Sequence, residues 1–313
     1  MPSRLRSRAE VAKLVVIGVG LIGGSFSLAL RSAGRVERVV GVGRSRANLD
    51  IARSRGIVDD GITLDGDWTR ELAGADVVLL ATPVGEFASL FAAIAPHLPK
   101  AAILTDAGST KQNVIAEARA HLGDALPQFI PGHPIAGTEH TGAAAAFATL
   151  FRDRNVVLTP LRENDAAAIA TLSGLWSACG AEVRELDPAQ HDRIFAAVSH
   201  LPHLLAFGLV DLLATRPDAA ELFRYAASGF RDFTRIAAGS PEMWRDISVA
   251  NREALMAEVD AYRAALDRIA AMVAASDAAA LEAVFARASA ARREWGRRFA
   301  PGGGVAADGP REP

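Results

Sequence analysis

The pattern of apolar and polar positions divides the chain into two textures. Up to about residue 186, short apolar runs (KLVVIG, VERVVGV, ADVVLLA, AAILTDA, LPQFI, NVVLTP and AEVREL) alternate with amphipathic stretches. Runs of this length, rich in Val, Ile and Leu, predict strands. The stretches between them predict helices over 21–33, 46–55, 85–95, 110–120 and 163–178. Strands alternating with helices through short connections predict an α/β fold built on a doubly wound parallel sheet. From Asp187 onward the strand pattern stops and long 3.6-period stretches take over, beginning DPAQHDRIFAAVSHLPHLLAFGLVDLLA. Asp187 followed by Pro188 suits an N-cap with proline at the first helical position. Helices this long and apolar call for a partner surface, so this half is read as all-helical and dimerising, giving a homodimer. The expected organisation is a first domain over 1–186, a helical substrate and dimerisation domain over 187–300, and a disordered Gly/Pro-rich tail over 301–313.

Composition narrows the function classes. Half of the 313 residues are hydrophobic and the formal net charge is −2, so nothing attracts a polyanion or an acidic lipid surface. No nucleic-acid or membrane partner is expected. The single cysteine, Cys179, has no partner for an internal disulfide and reads as a small buried hydrophobe. The basic N-terminus is followed by an apolar run too short and too rich in glycine for a secretory peptide. No stretch reads as the ~20 apolar residues that cross a bilayer, so a soluble, cytoplasmic protein is expected.

Between the first strand and the first helix stands Gly18-x-Gly20-x-x-Gly23. Gly18 permits the tight turn, Gly20 the approach of a pyrophosphate and Gly23 close packing of helix on strand; Leu21 and Ile22 open the helix whose N-terminus faces the phosphates. In this context the glycines predict a Rossmann-type dinucleotide site. The second strand ends Val42-Gly43-Arg44-Ser45, with no carboxylate to take the adenosine ribose hydroxyls. Gly43 removes a repelling charge, Arg44 can pair with a 2′-phosphate through its planar fork, and Ser45 can add a hydrogen bond. NADP is therefore favoured over NAD; the alternative is that Arg44 stacks on adenine and both cofactors bind. Thr82 and Pro83, and Gly108 and Ser109, follow two further strands and point to the same crevice. Ser109 reaches the nicotinamide end, caps the next helix, or does both.

A second constellation lies downstream. His133 stands in a Pro/Gly loop, PGHPIAGTE, after LPQFI, where a neutral imidazole can take the hydroxyl proton released as hydride leaves. In the helical half, SHLPH interrupts a long helix with proline, and FRDFTRI sets two arginines around an acid, suggesting a carboxylate ligand. His200 and His203 lack acidic or cysteine partners at ligand spacing, so no metal is expected.

The ordered series VIGVGLIGGS, LLATPV, TDAGSTK, GHPIAGTE, VSHLPH, GFRDFTRIA and MWRDI resembles the prephenate/arogenate (cyclohexadienyl) dehydrogenase family of tyrosine biosynthesis, over about Lys13 to Arg297. The resemblance implies a Rossmann domain followed by an all-helical dimerisation domain, with no room left for a mutase or regulatory domain. It implies His133 as the catalytic group on the ring hydroxyl, with Ser109 between that hydroxyl and the nicotinamide. Arg235 would bind a substrate carboxylate, His203 and Trp244 would shape the pocket, and Thr138 and Glu139 would line its mouth. Asp232 would reach an arginine network across the dimer.

The implied reaction is oxidative decarboxylation of a small-molecule substrate. Prephenate is favoured because His203 and several arginines suit an anionic side chain; arogenate, or dual use, is the alternative. A different hydroxy-acid or imine dehydrogenase of this plan would rely on a lysine in the helical half, and none occurs from Asp187 on. A non-catalytic NADP-binding redox sensor would need only the glycine loop and Arg44.

Overall fold

The computed structural model describes residues 10–138 and 140–299. The expected tail at 301–313 and the candidate Glu139 lie outside the described residues. In chain order the elements are β1 (Val11–Ile17), α1 (Leu21–Ser32), β2 (Val36–Gly43), α2 (Arg46–Ser54), β3 (Asp60–Thr63), β4 (Val77–Leu80), α3 (Phe87–Ile94), β5 (Ile103–Asp106) and α4 (Gln112–His121). There follow β6 (Phe129–Ile130), β7 (Gly132–Pro134), β8 (Asn155–Leu158), α5 (Ala166–Ala178) and β9 (Glu182–Glu185). The remainder is helical: α6 (Pro188–Phe195), α7 (Leu201–Ala214), α8 (Ala219–Arg224), α9 (Ser228–Thr234), α10 (Pro241–Ala250), α11 (Arg252–Ala274) and α12 (Ala278–Phe299).

Six strands form a parallel sheet in the order β3-β2-β1-β4-β5-β6. Alternate residues of β1 serve opposite faces: Leu14 and Val16 join one core with Phe26, Leu30 and Trp176, while Val15 and Ile17 join another with Phe87, Phe91 and Phe129. Both faces are thus covered by helices, as a doubly wound sheet requires. The strand order reverses between β1 and β4, which opens a crevice beyond their carboxyl ends. Cys179 is buried, and burial pushes its thiol up to about 12, so it stays protonated.

Three details differ from the sequence expectation. NVVLTP and AEVREL do not extend the parallel sheet; as β8 and β9 they form a separate sheet with β7, antiparallel to β7 and parallel to each other. The physical reason lies at Gly132, whose N–H donates to Asp106 Oδ1 (3.0 Å) and whose carbonyl accepts from Lys111 Nζ (2.6 Å). Side chains from the end of β5 and the loop after it hold the turn there. For the same reason His133, expected in a loop, lies on a short strand.

The third difference concerns SHLPH. Proline does not interrupt the helix, because a π turn at Ala196–His200 widens it just before Pro202, where the missing N–H and the ring would otherwise conflict with the preceding turn. The resulting stretch, Pro188–Ala214, is long and apolar enough to span a bilayer by length and composition, correcting the expectation that none is. Its polar residues His191, Asp192 and His200 are buried inside the protein. Asp187 caps this stretch as expected, accepting from the N–H groups of Ala189 and Gln190.

The chain forms two compact units, one running to Leu255 and one from Met256. The second consists of most of α11 and of α12, and leaves Leu266, Val273, Phe285 and Trp295 exposed. Within the first, Trp176 is fully buried between Phe26 and Phe151, at ring separations of 4.3 and 5.1 Å. Trp176→Ala is expected to cost about 3–5 kcal/mol by emptying that space, read as a lower denaturant midpoint with the slope unchanged.

Candidate active site

The glycine loop has the geometry of a phosphate cradle. Gly18 leaves β1 at φ +99°, and a Cβ there would lie 2.4 Å from the Ala81 carbonyl oxygen. A Cβ on Gly23 would lie 2.4 Å from the Gly18 carbonyl oxygen. Side chains at these two positions would therefore collide with backbone. At Gly20, the N-cap of α1, a Cβ would meet nothing within 4 Å, and no side chain caps the first turn that Leu21 and Ile22 open. Open space before uncapped helix N–H groups suits an anion. Thr82 and Pro83 follow β4 into the same crevice, and the residues present fit a dinucleotide.

At the end of β2, after Gly43, Arg44 is already engaged. Its guanidinium lies 3.3 Å from each of two Glu242 oxygens and 3.5 Å from Glu86. The hydrogen bond to Glu242 raises its pKa further. Ser45 caps α2, its hydroxyl oxygen accepting from the Asn48 N–H at 3.3 Å.

Under the sheet ends lies a buried polar chain. His133 Nδ1 is 2.8 Å from His191 Nε2, and His191 Nδ1 is 2.8 Å from Asp192 Oδ1. Asp192 also accepts from the N–H groups of Lys111 (2.8 Å) and Gln112 (2.9 Å), so a carboxylate from α6 caps α4. That settles one alternative: Ser109 does not cap this helix. Lys111, wholly buried, donates to Asp106 and to the Gly132 carbonyl, and Asp106 accepts from Gly108 N–H at 2.8 Å. Asn251 donates from one amide nitrogen to the Asp192 carbonyl (2.8 Å) and to His200 Nδ1 (3.0 Å). His200 therefore carries its proton on Nε2, which is buried beside the Ser109 backbone without a well-formed hydrogen bond.

Burial governs the titration of this cluster. It pushes His133 well below the ordinary histidine value, reinforced by His191, Lys111 and His200. Burial likewise lowers His191, against the opposing pull of Asp192, and brings His200 down to about 4. Burial lowers Lys111 too, against the Asp106 charge. Asp192 is disfavoured as an anion by burial, yet its hydrogen bonds from His191, Gln112 and Lys111 hold it below the usual carboxylate value. His133 is thus a neutral imidazole at neutral pH.

The other candidates fall into two groups. His203 stacks on Trp244 with centroids 3.5 Å apart and planes at 20°, and Arg235 is near enough to lower its pKa, after burial. Trp244 also lies 6.3 Å from the His200 ring, which links this pair to the buried chain. Thr138, by contrast, is exposed and accepts from the His140 N–H, and exposed Asp232 lies 3.4 Å from neighbouring Arg231. Sequence reasoning missed His191, Asp192, Asp106, Lys111 and Asn251. A His-Asp doublet in the first turns of a predicted helix, and one of only three lysines placed five residues after a strand-end aspartate, were the available signals.

A nucleotide cradle at a sheet switch point, beside a buried neutral imidazole, is the architecture of an oxidoreductase. The family model described as "Prephenate dehydrogenase, nucleotide-binding domain" matches residues 26–185, and "Prephenate dehydrogenase, dimerization domain" matches 187–287. Cyclohexadienyl dehydrogenase of Zymomonas mobilis is 37% identical over 268 residues, covering 84% of this chain and 89% of the relative. Prephenate dehydrogenase of Bacillus subtilis is 34% identical, covering 85% and 71%. Among solved structures, Aquifex aeolicus prephenate dehydrogenase, with hydroxyphenyl propionate and NAD+, superposes with a TM-score of 0.83 at 32% identity, covering 90% of this chain and 98% of that one. Synechocystis arogenate dehydrogenase gives a TM-score of 0.73 at 30% identity, covering 90% and 99%. The chain belongs to the prephenate dehydrogenase family and is an oxidoreductase of that family.

Because the three histidines are buried neutral, the unfolded chain binds their protons at higher pH than the folded one. Stability present above about 6.5 is expected to be lost as pH falls from there toward about 4, the window set by His200. Denaturant midpoints taken at pH 7.5, 6 and 5 should decrease in that order; a flat series would contradict the assignment.

Proposed function

We propose that the protein oxidatively decarboxylates prephenate to 4-hydroxyphenylpyruvate with NADP. The observation that carries this reading is the neutral, buried imidazole of His133 beside the sheet switch point. The nicotinamide, when bound, supplies the hydride acceptor. His133 takes the proton of the ring hydroxyl as hydride departs from the carbinol carbon, and Ser109 orients that hydroxyl. Arg235 holds the ring carboxylate, while His203 and Trp244 form the pocket wall. Loss of that carboxyl as carbon dioxide restores an aromatic ring, so the protein has only to align the substrate and accept a proton. Thr138 stands at the pocket mouth, and Asp232 serves an arginine network in the homodimer.

The division after Leu186 is supported by the family-model spans, and dimerisation through 187–300 by the description of the second model. His191, Asp192 and His200 of Pro188–Ala214 are buried in the site and Arg193 and Asp211 are exposed, in keeping with a cytoplasmic enzyme. A second reading of cofactor and substrate has specific support. Glu242 and Glu86 around Arg44 would compete with a 2′-phosphate and favour NAD, and the arogenate dehydrogenase relative matches nearly as widely.

Initial rates over prephenate and arogenate against NAD and NADP separate these readings. The expected result is highest kcat/KM with prephenate and NADP, and a fall of at least about tenfold in the NADP/NAD ratio for Arg44→Ala, in line with loss of a charge-assisted pair. A wild-type ratio below one would assign Arg44 to its carboxylate partners instead. His133→Asn is expected to lower kcat about 100-fold or more with KM little changed, and unchanged turnover would remove it as the base. Arg235→Gln should raise KM for the substrate; unaltered KM would reject the carboxylate assignment.

A further inference from the structure

We propose that His191, backed by Asp192, is a positioning residue that holds His133 in the tautomer protonated at Nδ1 and bare at Nε2. The proposal rests on the reading of His133 as the base and supplies what that reading leaves open, namely which ring nitrogen accepts the proton.

The assignment follows from counting donors and acceptors. Asp192 accepts two backbone N–H groups at the first turn of α4, at 2.8 and 2.9 Å. That arrangement favours the ionised, acceptor-only carboxylate. Its Oδ1 lies 2.8 Å from His191 Nδ1, so that nitrogen must carry a proton and donate it. In a neutral ring the other nitrogen is then an acceptor, which makes His191 Nε2 a lone pair. His133 Nδ1 stands 2.8 Å from it and must therefore be the donor. The neutral His133 ring is left with its lone pair at Nε2. The opposite assignment would bring a carboxylate oxygen and an imidazole lone pair to 2.8 Å in the interior, with no proton between them.

The surroundings keep the premise of neutrality. His133 faces His191, the Lys111 ammonium and His200, while His191 faces Asp192, Lys111 and Asp106. Burial opposes a resting charge on both rings, helped at His133 by all three neighbours and at His191 by Lys111 against the pull of the two carboxylates. When His133 takes a proton at Nε2, its Nδ1–H bond to His191 keeps the same direction, and Asp192 supplies a negative charge at the far end of the chain. No hydrogen bond has to reverse during the reaction, so the site is organised before the substrate reacts.

A packing role makes a different prediction. The His133, His191 and Phe195 rings pack at 4.5–5.0 Å centroid separations, a cluster that an aromatic hydrocarbon at position 191 would preserve. His191→Phe keeps the ring and removes the acceptor; His191→Gln removes the ring and offers an amide oxygen.

The test is nitrogen NMR of the full-length protein with 15N-labelled histidine rings, alongside kcat and KM for both variants. The expected wild-type spectrum has His133 protonated at Nδ1 and unprotonated at Nε2. His191→Phe should shift His133 toward the Nε2–H form and lower kcat at least about tenfold with KM little changed, the direction seen when a base loses the partner that sets its tautomer. His191→Gln should recover the Nδ1–H form and most of the lost kcat. A wild-type His133 protonated at Nε2 overturns the proposal, as does a His191→Phe variant with altered tautomer and unaltered kcat. The two readings fail separately: full turnover in His133→Asn removes the base, while the wild-type spectrum judges the tautomer without reference to activity.

Discussion

Asp192 is the group on which the site depends. A buried carboxylate is costly unless its lone pairs are filled, and here two backbone N–H groups at the start of α4 and one imidazole N–H fill them. The same three bonds have three consequences. They cap a helix of the sheet, they dock the first helix of the helical half against it, and they orient His191. Asn251 adds a fourth tie, bonding the Asp192 carbonyl and His200 together from the junction of α10 and α11. Removing one carboxylate would leave donors from both halves unmatched.

The Lys111 and Asp106 pair does the corresponding work on the sheet side. Both side chains have no exposed surface, and between them they hold Gly108 and both polar backbone groups of Gly132. The chain is thereby turned out of the parallel sheet at the residue preceding His133. A buried ion pair of this kind adds little net stability over an apolar pair of the same shape, but it specifies a geometry. Here the geometry specified is the position of the imidazole relative to the crevice. The placement of His133 and the fold topology share the same four residues, which is why the second sheet and the buried polar chain begin together.

The cofactor side is governed by steric exclusion more than by charge. Gly18 and Gly23 have no room for a side chain, and Gly20 has room for a ligand. Arg44, the charged residue that follows β2, is balanced by Glu242 and Glu86. On the proposed reading, specificity at the 2′ position is a competition between a phosphate and two carboxylates for one guanidinium fork.

Much of this was legible in the chain itself. Alternating apolar runs determined the doubly wound sheet, because a strand buried on both faces must be apolar throughout and its crossover helix amphipathic. The glycine spacing determined the cradle, because backbone sterics alone forbid side chains at Gly18 and Gly23. His133 and Ser109 were visible as strand-end residues beside that cradle. What the tertiary structure decided was every interaction made across long separations. Asp192 caps a helix 80 residues away, Arg44 meets a glutamate 198 residues downstream, and β7 pairs against β8 because side chains turn the chain at Gly132. His191 looked like any polar residue in a helical repeat. Local pattern reports burial and periodicity; it does not report which donor faces which acceptor, and the chemistry of this site resides in that pairing.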